Sequence, residues 1–333
     1  MKLSVLDQSF TRSPDKAPEA LQETIAMAQW CEELGYERFW VSEHHAFSTL
    51  AGSAPEILIA ALGAATNTIR LGSGGIMLPH YSAYKVAEIF SLLANLYPQR
   101  IDLGIGRAPG ADMSTAVALA TDKRPKFERF PELVEELTAY MNDEVTEPLV
   151  SPKPPGDVPI WLLGSSADSA EMAAQRGLPY NLALFINPQA QTELIKLYKQ
   201  YFKSKQSGQR PYAIITMAVF CCDSEEEAKL QQHAFDVNFY RFVTGQRSGP
   251  NGGKLLTPEE AQSFRSTPQF EGFVHQRSTN RAIGSAAQVR EKVLATADRF
   301  SADEVMVVSN MYDFDCRKRC FQLLIESIQG NSN

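Results

Sequence analysis

Short apolar runs alternate with amphipathic stretches along this chain, and that alternation leaves few folds open. A strand buried on both faces reads as a brief apolar run. A helix laid over it reads as a stripe with a period near 3.6, so the pattern predicts a parallel sheet covered by helices. The run Leu3-Ser4-Val5-Leu6 predicts the first strand. A helix follows over 20–34, with Leu21, Ile25 and Ala28 near helical spacing and Gly35 as its stop. Strands are then expected at 38–41, at 69–71 with 75–78, and at 101–105, with helices at 55–66 and 83–96 between them. The second half repeats the rhythm. It predicts strands at 160–163, 181–185, 212–221 and 304–308, and helices at 127–141, 169–176, 188–203, 224–243, 286–300 and 315–328. About eight strand–helix units without a break in composition predict one (β/α)8 TIM barrel, a single domain over residues 1–333. An open doubly wound sheet is the alternative. Residues 245–285 interrupt the rhythm, being polar and rich in Gly, Ser, Pro and Gln. An insertion of that length in a barrel is expected to be a lid or a dimer element.

Composition narrows the function. Apolar residues make up 44% and charged residues 21%, as a folded core requires. The formal charge is −7 and no basic stripe appears, which argues against nucleic acid as a partner. No stretch reaches the ~18 apolar residues of a membrane helix, and the opening MKLSVLDQSF lacks a secretory apolar run. Five cysteines at irregular spacing, none in a CxxC pair, fit a reducing cytoplasm. Cys316 and Cys320, four apart on an expected helix, read as small buried residues.

Four short motifs can carry chemistry. Phe39-Trp40-Val41 ends in Ser42-Glu43-His44-His45, and a parallel strand opens into its active site at that end. A histidine there can act as acid, base or hydrogen-bond donor, or simply cap the strand. The remaining histidines, His80, His233 and His275, are scattered, so a metal site is not expected. Gly72-Ser73-Gly74-Gly75 interrupts the third strand, as a bulge or a close backbone approach to a ligand. Gly104-Ile105-Gly106-Arg107-Ala108-Pro109-Gly110 ends the fourth strand with an arginine, which either meets phosphate or an anionic ring or lies on the surface. Gly164-Ser165-Ser166-Ala167-Asp168-Ser169 opens a helix, either as a phosphate site or as plain N-capping.

In this order, the segments at 34–45, 71–79, 100–110 and 161–166 resemble the bacterial luciferase-like flavin monooxygenases over most of the chain. The resemblance implies a (β/α)8 barrel that uses FMN, reduced by a separate flavin reductase, with dioxygen to oxygenate a small organic substrate. The first histidine of Glu-His-His supports that chemistry and falls on His44. A non-proline cis peptide under the flavin ring falls on Gly74-Gly75, and an arginine near the phosphate or ring falls on Arg107. The phosphate loop falls on Gly164, Ser165, Ser166 and Ser169. A homodimer through the second and third helices is also implied. Three departures stand out: Gly106 replaces a reactive cysteine, Ser165 replaces a glutamate, and Pro98-Gln99-Arg100 replaces Pro-Gly-Arg. A deazaflavin-dependent hydride-transfer enzyme on the same barrel, or a non-catalytic flavin-binding protein, are the alternatives.

Overall fold

The computed structural model describes residues 1–330 except 109, 121–122, 157, 206 and 247–252. Its strands are β1 (Lys2–Asp7), β2 (Arg38–Val41), β3 (Arg70–Ser73), β4 (Ile76–Met77), β5 (Ile101–Gly106), β6 (Ile160–Gly164), β7 (Tyr180–Ala183), β8 (Ala213–Cys222), β9 (Ala282–Ser285) and β10 (Glu304–Val308). Around the ring the order is β1, β2, β3, β5, β6, β7, β8 and β10, with every neighbouring pair parallel. β10 pairs with both β8 and β1, so the sheet closes into an eight-stranded barrel. β4 resumes past Gly74-Gly75, where β3 stops, and pairs with β5.

The period-2 pattern of each strand decides what fills the barrel and what faces the helices. Val5, Phe39, Ile215 and Val305 belong to the main core, which the helices cover. Their neighbours Leu6, Trp40, Ile214 and Met306 pack with Trp161 in a separate cluster inside the ring. Below that cluster lies a buried ionic plug. Arg38 donates to Glu304 at 2.8 Å and to Asp102 at 2.7 Å, and Arg70 donates to Asp102 at 2.6 Å. The Trp40 indole N–H and the Tyr212 hydroxyl also donate to these two carboxylates. Buried charges persist when paired and hydrogen-bonded in this way. The plug groups sit at or near the strand starts, which leaves the C-terminal mouth for a site.

Several local expectations shift. The helix expected over 188–203 is confined to Glu193–Gln200, and a helix Met113–Leu119, capped by Asp112, was not anticipated. Gln99 takes φ 63°, a left-handed conformation that glycine adopts at no steric cost. The 245–285 segment, of which 247–252 lie outside the described residues, is more ordered than its composition suggests. It forms helices Pro258–Gln262 and Pro268–Ser278 before β9. Pro258 and Pro268 occupy the first turn of these helices, where no N–H is needed, and Thr257 and Thr267 cap them. β9 then pairs with Val219–Cys222, the half of the ten-residue β8 that lies beyond its pairing with β10.

Candidate active site

The three titratable groups after β2 have separate fates. Glu43 is fully buried and accepts from the Met77 backbone N–H and the Tyr81 hydroxyl, each at 2.8 Å. The same carboxylate lies 2.7 Å from His45 Nε2. Glu43 and His45 are therefore used to tie the end of β2 to β4 and the segment after it. His44 is left over. Its Nδ1 lies 3.0 Å from Ser42 Oγ, and its backbone N–H donates to Gly52 at 2.9 Å. Burial pushes the His44 imidazole down to about 4, against a smaller opposing pull from Glu43. The ring is neutral at physiological pH.

A cavity of about 280 Å³ opens inside the barrel mouth, lined by Gly74, Gly75, Arg107, Gly164, Ser165, Ser166 and Ser169. These are all the cofactor-binding positions expected from the sequence, supplied by β3–β4, β5 and the β6–helix turn. The Gly74–Gly75 peptide is cis. A methyl group on Gly75 would run into the Leu163 side chain and stand 2.7 Å from the Gly104 carbonyl; one on Gly74 would stand 2.6 Å from Leu6 Cδ1. The missing side chains thus let two leucines close on the backbone and form an apolar wall with Trp40. At the other end the helix Ala167–Arg176 begins. Ser169 Oγ accepts from the Ser166 N–H at 3.3 Å, donates to the Ser166 carbonyl, and lies 3.0 Å from the Tyr180 hydroxyl. Ser169 therefore shapes the turn, while the Ser166 side chain and Arg107 are exposed. Pro109, beside that arginine, lies outside the described residues.

His44 lines a different cavity. This second space, about 350 Å³, is walled by Phe10, Phe47, Phe220, Phe235, Phe239 and Phe242. It shares Phe185 and Ile186 with the first. Phe185, which follows β7, faces this space as well. Tyr81 serves Glu43 and Tyr212 serves the ionic plug. Much of the aromatic wall comes from one helix, Glu225–Val243, whose Phe235, Phe239 and Phe242 follow helical spacing.

A model of the luciferase-like monooxygenases matches residues 1–303. The chain belongs to the luciferase-like monooxygenase family. Among its relatives is the N-acetyl-S-alkylcysteine monooxygenase of Bacillus subtilis, 33% identical over 98% of this chain and 98% of that protein. The flavin-dependent trigonelline monooxygenase oxygenase component of Acinetobacter baylyi is 23% identical over 82% of this chain and 79% of its own. The crystal structure of apo-MsnO8 superposes with a TM-score of 0.89 at 37% identity, covering 98% of each chain.

Some groups at the mouth of this luciferase-like barrel were not foreseen. Asn181 and Thr216 line the first cavity, with the Thr216 hydroxyl donating to Asn181 Oδ1 at 2.7 Å. A polar residue inside an otherwise apolar strand was the available signal for both. Arg277 and Arg281 line the second cavity. Nothing in the polar 245–285 composition set those two apart. Among the described residues, no group of three or more His, Cys, Asp or Glu is placed to hold a metal, and no helix is long and apolar enough to cross a membrane. The five cysteines are free thiols.

Proposed function

We propose that this chain is the oxygenase component of a flavin-dependent monooxygenase, taking reduced FMN from a separate reductase and oxygenating a small organic substrate. The observation that carries the reading is spatial. The glycines, Arg107 and the serine loop line one cavity, and it adjoins the His44 cavity across Phe185 and Ile186. The first cavity suits FMN chemically. The Leu6–Trp40–Leu163 wall over Gly74 and Gly75 offers an apolar face to a ring, while Arg107 and the amides at the start of helix Ala167–Arg176 suit a phosphate. When bound, reduced flavin supplies two electrons, so that one oxygen atom of dioxygen enters the substrate and the other leaves as water.

The chain's own residues set the conditions for that chemistry. The aromatic wall of the second cavity keeps water from the substrate. Ser42 fixes the His44 ring through Nδ1, which leaves Nε2 to exchange a hydrogen bond or a proton with a bound reactant. Glu43, buried and fully engaged, holds the loop from which His44 projects. A homodimer is part of the proposal. Ile57, Leu92 and Leu96 are 68%, 50% and 57% exposed on the helices Pro55–Ala65 and Ala83–Leu96, an apolar face that suits a second copy. A cytoplasmic location accords with the free thiols.

The decisive experiment supplies reduced FMN or reduced deazaflavin anaerobically and then admits air. Oxygen uptake with FMN, weakened in His44→Ala, is the expected result. Hydride transfer from deazaflavin without oxygen uptake would sink the monooxygenase reading. A crystal soaked in FMN tests the site, and density away from Gly74 and Gly75 would overturn the assignment.

A further inference from the structure

Arg277 reaches the aromatic cavity from the helix Pro268–Ser278 and forms no ion pair among the described residues. Its neighbour Arg281 is satisfied, donating to both oxygens of the buried Asp236 at 2.7 and 2.9 Å. Arg277 has much less. One Nη donates to the Phe185 carbonyl at 3.5 Å, and Nε is buried without a partner. The guanidinium lies 4.5 Å from the ring centre of Phe239 and 5.6 Å from that of Phe273. Burial and the nearby Arg281 weigh against its charge, with a smaller opposing pull from Asp236, yet an arginine cannot shed its proton in a protein. Among the described residues no aspartate or glutamate lines the cavity, and its other polar groups are Gln8, Thr49, Asn238, Asn310 and the neutral His44. With Asp236 bonded to Arg281, Arg277 is left without an ion-pair partner among the described residues, inside an apolar, aromatic wall.

A partly buried cation without an anion is costly, and a planar guanidinium matches a carboxylate in two-point geometry. We propose that Arg277 is the anchor of the substrate site, and that the cavity takes a small organic monocarboxylate with an apolar or aromatic body. The acid would bind the free edge of Arg277, and the body would pack among Phe47, Phe235, Phe239 and Phe242. The class excludes neutral hydrocarbons and cations as preferred ligands. It rests on the monooxygenase reading only for the word substrate, because the site can be tested without flavin.

The test is calorimetric titration of the full chain, free of flavin, with phenylbutyrate and with its neutral amide. The acid should bind at least ~10-fold more tightly than the amide, as a charge-assisted pair requires. Arg277→Met should bring the acid down to the level of the amide while leaving amide binding unchanged, and Arg277→Lys should restore part of the preference. Equal affinities for the two probes, acid binding undiminished in Arg277→Met, or binding of neither probe each overturns the proposal. Should Arg277→Met fail to fold, the acid-over-amide ratio of the unaltered protein decides alone. FMN titration of the same samples separates the two readings: a protein that ignores FMN but prefers the acid loses the flavin assignment and keeps the anchor.

Discussion

Lowering the pH from about 8 to about 4 should destabilise this protein through His44, and a His44→Gln variant isolates the effect. Burial holds the folded-state value near 4, against an ordinary value of 6.5. The unfolded chain therefore takes up the proton more readily than the native one. Stability from this residue is fully present above 6.5 and is lost as the pH falls toward 4. That gap corresponds to roughly 3 kcal/mol, a large part of an ordinary domain's stability. Other groups titrate in the same window, so the quantity to measure is a difference. Urea unfolding of both proteins at each pH gives it: wild type minus His44→Gln should fall by roughly 3 kcal/mol on acidification. The glutamine can keep the bond to Ser42, so the variant removes the titration while sparing the loop. NMR provides a second view, because the ring signal that vanishes in His44→Gln should titrate near 4 and not near 6.5. A pH-independent difference, or a midpoint near 6.5, would refute the buried neutral imidazole and with it the role given to Nε2.

Two further perturbations test the neighbouring geometry. Glu43→Ala strips the acceptor from the Met77 N–H, the Tyr81 hydroxyl and the His45 ring, and should cost about 3 kcal/mol or more in chemical denaturation. A loss under about 1 kcal/mol would show that water replaces the carboxylate there. Gly75→Ala sets a methyl against the Leu163 side chain and 2.7 Å from the Gly104 carbonyl, which is backbone and cannot easily yield. It should cost about 1–3 kcal/mol and weaken FMN binding measured by fluorescence titration, whereas unchanged FMN affinity would detach Gly75 from the flavin wall.

The barrel itself was legible because its signal is local. Apolar runs at strand length and stripes at helical period show in a window of a dozen residues, and the eight predicted strand positions match the ring. The glycine and serine motifs were legible for the same reason, since each is one short run at or near the end of a strand. The 245–285 segment was harder. Thr257-Pro258 and Thr267-Pro268 serve as helix starts, and the same residues in sequence also describe a loop.

The amino-acid sequence by itself determined the alternation of parallel strands and covering helices, the family resemblance, and which residues could form a phosphate-and-ring cradle, while closure of the ring was shown by the pairing of β10 with both β1 and β8. Tertiary structure alone decided how the Glu-His-His motif divides. Glu43 meets Met77 and Tyr81 more than thirty residues away, which consumes Glu43 and His45 and leaves His44 for the second cavity. It also decided that two cavities share a wall, and that Asp236 pairs with Arg281 and leaves Arg277 beside rings without an ion pair among the described residues. The reason is physical. Periodicity reports which face of an element is buried, but a charge is satisfied or stranded by whatever the folded chain brings beside it.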